Sequence, residues 1–278
     1  MEVLTRSASA RDRVRTWHES GKTTALVPTA GALHKGHMSL IAGAQERADR
    51  VIVSICGKSP DAGQANQAAD RELLAKIGAD VLFAPPLHEI YPVGDELSTC
   101  VNIPRLAHLL EGAHRPAYVG DIVTLLLKLF NIVKPDYAVF GERDFLELAS
   151  VRQMVADLFV PLEIVAVPAF RESDGLALDR SNRQFSAEQR AVAPRLYAIL
   201  RQVARKIDAG DRGYEALERQ GMESLLAGGF KPEYFAIRQT ADLAPVRAGT
   251  RDVVILAAAA LGQVRMADNL RVHLIDRF

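Results

Sequence analysis

Apolar positions fall into two alternating patterns along the first two thirds of the chain. Short, nearly continuous apolar runs occupy residues 24–28, 51–56, 80–84, 137–140 and 162–168. Between them, apolar residues recur at helical spacing over 38–48, 68–77, 121–132 and 144–158. Continuous apolar runs of this length read as strands buried on both faces, and the 3.6-residue repeat reads as helices covering them. The alternation predicts βαβ crossovers and a parallel, Rossmann-like α/β sheet. After residue 171 the pattern changes. It predicts one long helix over 186–209, opened by Ser186 with Glu188 in its first turn. A second helix over 211–227 closes on Gly228-Gly229, and strands follow at 232–240 and 252–260. These elements predict a small α+β domain, with the chain dividing into 1–178 and 179–278. Residues 61–69 are small and polar and predict a surface loop.

Composition narrows the function classes. Of 278 residues, 49% are hydrophobic, enough for a sizeable core, and 34 basic residues balance 34 acidic ones. Zero formal charge predicts neither a nucleic-acid nor a membrane partner. The opening Met1-Glu2-Val3-Leu4-Thr5-Arg6 lacks the apolar core of an export signal. The apolar run at 253–261 is too short to span a bilayer. Cys56 and Cys100 are the two cysteines; Cys56 ends a predicted strand and reads as a core thiol. A cytoplasmic location is the expectation.

The chemistry concentrates where the first strand ends. Pro28 and Gly31 stop the apolar run, and His34-Lys35-Gly36-His37 precedes the next helical pattern. A helix N-terminus offers unpaired N–H groups and a positive dipole end, which suit phosphate. Two imidazoles there can donate hydrogen bonds to oxygens that gain charge as a phosphoanhydride breaks. On these four residues alone, nucleotide binding, a shared metal and plain loop histidines all stay open. No Cys, Asp or Glu nearby completes a familiar metal-ligand spacing. Parallel sheets bind ligands at the carboxyl ends of their strands. His34, Asp61, Arg143 and Arg171 all follow predicted strands, so they are candidates to share one edge.

Longer motifs go further. Pro28-Thr29-Ala30-Gly31-Ala32-Leu33-His34-Lys35-Gly36-His37, Lys128-Leu129-Phe130-Asn131-Ile132-Val133-Lys134-Pro135-Asp136, Phe140-Gly141-Glu142-Arg143-Asp144 and Arg171-Glu172-Ser173-Asp174-Gly175-Leu176-Ala177 stand in one order along the chain. Together they resemble the pantoate–β-alanine ligase family. The resemblance implies a nucleotidyltransferase domain with a small C-terminal lid, in a homodimer. It implies activation of a carboxylic acid by ATP with Mg²⁺, release of pyrophosphate, and attack of an amine on the acyl-adenylate. It assigns His34, His37 and Arg143 to catalysis at the phosphates. It assigns Pro28, Thr29, Gly36, Gly141, Asp144, Val167, Arg180, Ser181 and Arg183 to ATP. It assigns Ala30, Lys58, Asp61, Tyr118 and Glu147 to the acid pocket, and it gives the protein no dedicated metal ligands.

The departures from the family pattern sit on chemistry. The family's methionine beside the reactive phosphate is Ala30, its lysine before the ribose aspartate is Arg143, and its Ser-Ser-Arg is Asp179-Arg180-Ser181. Family Asn and Gln positions correspond to Lys58 and Asp61, and a pantoate-gripping glutamine corresponds to Glu147. An ionised carboxylate only accepts hydrogen bonds, whereas an amide also donates. Asp61 and Glu147 would therefore repel a substrate carboxylate and favour cationic or hydroxyl-bearing groups. This predicts an altered acid specificity. A paralogue acting on another acid and a non-catalytic nucleotide-binding relative stay open beside pantothenate synthesis. Tyr118 serves either as a pocket wall or as a ring packed beside a helix start.

Overall fold

The computed structural model describes residues 1–57, 67–115 and 117–274. It divides into two compact units, Met1–Glu142 with Leu146–Pro168, and Arg143–Phe145 with Ala169–Phe278. The units part at Pro168, ten residues before the expected boundary, and the three residues after Glu142 count with the second unit. Lys58 and Asp61 lie outside the described residues. So does the predicted loop as far as residue 66, while 67–69 already belong to a helix.

The first unit holds a six-stranded parallel sheet: β1 (Glu2–Leu4), β2 (Thr24–Thr29), β3 (Arg50–Ile55), β4 (Val81–Phe83), β5 (Tyr137–Gly141) and β6 (Glu163–Val167). Its helices are α1 (Ser7–Glu19), α2 (Lys35–Gln45), α3 (Gln67–Lys76), the single turns α4 (Leu87–Ile90) and α5 (Glu111–His114), α6 (Tyr118–Val133) and α7 (Phe145–Asp157). Five strands and four helices fall where the apolar pattern put them. β1 and α1 were not expected. β1 has three residues, and α1 buries only Ala10 and Val14, one turn apart, so neither leaves a strong periodic trace.

Strand order is β1-β4-β3-β2-β5-β6. From β2 the chain steps outward through β3 and β4, then returns to the other side of β2 to lay down β5 and β6. The order therefore reverses between β2 and β5, and crevices at such a reversal are where α/β sheets bind ligands. The local pairing favours an opening there. β2 pairs β3 as far as Thr29↔Ile55, but pairs β5 only at Ala25↔Tyr137 and Leu26↔Ala138. Pro28 has no N–H to donate, so the central strand carries it only beyond the β5 ladder. Below the opening, Ala25, Val27, Ile41, Ala44, Val51, Val53, Leu74 and Val139 form a closed core.

The second unit pairs β7 (Lys231–Gln239), β8 (Asp252–Leu261) and β9 (Val264–His273) antiparallel in that order. α8 (Ala187–Val192), α9 (Arg195–Asp208) and α10 (Tyr214–Ala227) accompany it. The single helix expected over 186–209 is two helices. Pro194 separates them because proline cannot continue the backbone bonding of a helix interior. The start at Ser186 holds: Ser186 Oγ accepts from Gln189 N, and Gln189 Oε1 accepts from Ser186 N, a reciprocal cap. α9 buries Leu196, Ile199, Leu200, Val203, Ala204 and Ile207, one continuous stripe against β8 and β9. α10 lies on β7 so closely that a Cβ at Gly221 would sit 2.5 Å from the Phe235 ring. β9 was not expected. Its alternation is broken by buried Asp268 and Asn269, two polar residues on a strand otherwise apolar at every second position.

Candidate functional site

At the carboxyl end of β2 the chain makes a left-handed turn, with Gly31 at φ +83° and Ala32 at φ +54°, and then enters α2. His34 is the N-cap, at φ −144° and ψ 177°. Its Nδ1 accepts a hydrogen bond from Gly36 N at 3.1 Å. His37, one turn in, accepts from His34 N through its own Nδ1 at 3.2 Å. The two histidines thus perform the reciprocal capping usually done by a hydroxyl and a glutamate.

This capping fixes the proton positions. A ring nitrogen that accepts an N–H bond must present its lone pair. The proton of each neutral imidazole therefore sits on Nε2. The rings lie 4.1 Å apart between centroids, tilted by 51°, and both are half-buried. The two Nε2–H donors form a compact array; in the first helical turn Gly36 N already donates to His34 Nδ1 and His37 N to His34 O. Such an array can stabilise a phosphate oxygen that gains charge.

The turn ahead of His34 is held from α3, by a residue sequence reasoning missed. Asp70 is 4% exposed, and its carboxylate accepts from Ala32 N at 2.9 Å and Leu33 N at 2.8 Å. The available signal was an acid on the buried face of a helix, four residues before fully buried Leu74.

The other expected residues of this unit are placed as follows. Thr29 Oγ1 donates to Ser54 O at 2.8 Å, so its proton is spent inside the sheet. Ala30 is exposed and Gly36 half-buried beside the rings. Gly141 and Val167 end β5 and β6 on the same sheet edge as Thr29, and Glu142 N donates to Val167 O at 2.8 Å. A Cβ on Gly141 would lie 3.7 Å from Leu40 of α2, and one on Gly43 would press on Val167 at 2.8 Å, so α2 runs tightly over these strand ends. Glu147 is half-buried in the first turn of α7. Tyr118 opens α6 with the Arg115 guanidinium 4.8 Å from its ring centre. Cys56 follows β3, where burial pushes its thiol up to about 11. It is a core thiol, as expected.

In the second unit the expected cations have different fates. Arg143 Nη1 lies 2.6 Å from Asp179 Oδ2 and 3.4 Å from Asp144 Oδ2. Asn269, 7% exposed on β9, donates Nδ2–H to the Arg143 carbonyl at 2.7 Å. Asp179 also caps the 3₁₀ turn Arg180–Gln184, accepting from the backbone and hydroxyl of Ser181. Arg180 and Arg183 are exposed on that turn. Arg171 is not available as a ligand cation. It forms a two-pronged pair with Asp268 at 2.7 and 2.8 Å, bonds the carbonyls of Gly175 and Asn269, and stacks 3.6 Å over Tyr197. Among the described residues, no group of three or more His, Cys, Asp or Glu side chains is arranged to hold a metal, and no helix is long and apolar enough to cross a membrane.

The family model described as pantoate-β-alanine ligase matches residues 2–271. The chain belongs to this family. Its relatives include pantothenate synthetase of Pseudomonas putida strain GB-1, 42% identical across 98% of this chain and 96% of that one. That of Nitrosococcus oceani is 40% identical, with 99% of both covered. Among solved structures, pantothenate synthetase of Thermus thermophilus superposes with a TM-score of 0.86 at 34% identity, covering 97% of this chain and 99% of that one. Pantoate-β-alanine ligase of Francisella tularensis, complexed with β-γ ATP and β-alanine, gives a TM-score of 0.76 at 28% identity, covering 97% of each chain. The fold expectation of a parallel nucleotidyltransferase-like sheet followed by a small α+β unit is met.

Proposed function

We propose that this chain catalyses the ATP-dependent, AMP-forming condensation of a carboxylic acid with an amine, pantoate and β-alanine being the family's pair. The observation that carries the reading is the imidazole pair, locked as Nε2–H donors at the head of α2, where the strand order reverses. In the first step a carboxylate oxygen attacks the α-phosphorus of ATP, and the bond to the bridging oxygen of the β-phosphate breaks. His34 and His37 donate to oxygens that gain charge, and pyrophosphate leaves. In the second step the amine attacks the acyl carbon, the C–O bond to AMP breaks, and the nitrogen loses its proton. No strong base is required, because orientation and a good leaving group carry that step.

The remaining roles belong to the same reading. Arg143, Arg180 and Arg183 are assigned to nucleotide anions. Pro28, Thr29, Gly36 and Val167 contribute through backbone, Gly141 and Asp144 contact the ribose, and Ser181, whose N–H and O–H both go to Asp179 before ATP binds, is assigned to the nucleotide. Mg²⁺, when bound, would neutralise part of the triphosphate charge. The protein is read as a cytoplasmic homodimer.

A second reading concerns the acid. Glu147 is an acceptor where the family pattern has an amide, and Asp61 makes a second such change. With Ala30, Lys58 and Tyr118, these residues define an acid pocket that prefers a more cationic or hydroxylated acid than pantoate. Acid-dependent exchange of labelled pyrophosphate into ATP tests both readings. Exchange with pantoate and its failure with other acids would support the family reaction. Exchange with another acid alone would support the second reading, and no exchange with any acid would end both.

A further inference from the structure

We propose that Asp70 is the positioning residue of the imidazole pair. Its carboxylate holds the turn 31–33 and thereby sets where the Nε2 atoms of His34 and His37 point. The inference rests on the reading of those imidazoles as phosphate donors.

Each carboxylate oxygen takes one N–H of the turn, Oδ2 from Ala32 and Oδ1 from Leu33. Bonds to an ionised acceptor are the strong ones, and a two-pronged grip fixes orientation as well as distance. The grip is needed because Ala32 has left-handed backbone at φ +54°. Only glycine enters that region without a steric penalty, and a residue with a Cβ stays there when its surroundings hold it. A further tether of the turn, from Gly31 N to Thr29 Oγ1, is long at 3.4 Å and adds little.

The anchor itself is firm. Asp70 sits one helical turn before Leu74, which is fully buried in the core beneath the sheet edge. From the gripped Leu33 N to the N-cap is a single residue. The reciprocal bonds of His34 and His37 fix the rings relative to α2. They do not fix the direction from which the chain enters the helix. The carboxylate does, so a displaced turn alters His34 first and the bond from His34 N to His37 Nδ1 next.

The test is pyrophosphate exchange together with ¹⁵N spectra of the histidine rings, on the full chain. In Asp70→Asn one oxygen becomes an NH₂ group facing a backbone N–H. We expect kcat to fall roughly 10- to 100-fold, the worth of one charge-assisted hydrogen bond, while KM for ATP moves less than about three-fold. Adding Ala32→Gly to Asp70→Asn should restore several-fold of the lost kcat, because glycine takes the turn unaided. A role confined to folding would lower thermal stability and leave kcat of the folded protein alone, and that result overturns the proposal. If Asp70→Asn does not fold, Asp70→Glu moves the carboxylate outward by one methylene, and an unchanged kcat there overturns it equally. If the wild type exchanges nothing, the functional reading has failed, and the spectra still decide the role of Asp70. The wild type should show both rings protonated at Nε2 and the variant a mixture; identical spectra would sink the proposal.

Discussion

Arg143 and Asp179 form a half-buried ion pair, 2.6 Å from guanidinium to carboxylate, within the second unit. The carboxylate is itself fixed by capping the turn at Arg180. An anion that binds Arg143 must compete with it. Asp179→Ser keeps a capping oxygen and removes the charge. We expect the apparent KM for ATP to fall about five-fold, equivalent to the ~1 kcal/mol of a weak ion pair, with kcat little changed. Steady-state kinetics at fixed acid concentration read this. A raised KM would mean that the carboxylate orients Arg143 for the nucleotide instead of competing for it.

His37 has two tasks that different substitutions separate. Its Nδ1 caps α2, and its Nε2–H is the proposed phosphate donor. Glutamine can take over the capping with its side-chain oxygen. His37→Gln should therefore keep the melting temperature and lower the adenylation rate roughly 10²-fold, as loss of an oxyanion donor does. His37→Ala should lose similar activity and about 1 kcal/mol of stability as well. Full pyrophosphate release from His37→Gln would remove the imidazole from the chemistry.

Acid selection follows from donor and acceptor counts. Replacing Glu147 and Asp61 by glutamine together restores donors to the proposed acid pocket. Exchange with pantoate should rise in the double variant by roughly ten-fold or more, the scale of one hydrogen bond to a charged group. Comparing kcat/KM for pantoate in the two proteins reads it, and equal values would clear both carboxylates of any part in acid choice.

The two thiols should behave oppositely. Cys100 is exposed, whereas Cys56 is buried with its thiol pushed up to about 11. A thiol reagent at neutral pH should modify one equivalent in the folded protein and a second after unfolding. The raised value also links to stability. The folded state holds the Cys56 proton more tightly than the unfolded chain, whose thiol titrates near 9. The associated stability is therefore present below pH 9 and declines as pH rises through the window to 11. Cys56→Ser should flatten that alkaline decline in urea titrations; an unchanged slope would assign it to other groups.

Much of this protein was legible in order along the chain. The apolar runs that become β2 to β6, the helices between them and the histidine pair at the head of α2 all depend on neighbours within a few residues. Local spacing decides them because backbone periodicity and helix capping are themselves local. Legibility failed where a partner lies far along the chain. Asp70 reaches Ala32 across 38 positions, and Asn269 reaches the Arg143 carbonyl across 126. Asp268 and Asn269 broke the alternation that would have revealed β9, and both are buried polar groups whose partners lie far away in sequence. Arg171 followed a strand as Arg143 did, yet Asp268 and Tyr197 occupy its guanidinium. Sequence alone thus determined five of the sheet's strands, the helices between them, the sheet class and the place of the histidine pair. Tertiary structure decided which charges are spent on one another and which carboxylate steadies the turn, because a buried charge takes whichever opposite charge or N–H the fold brings within about 3 Å, wherever it lies in the chain.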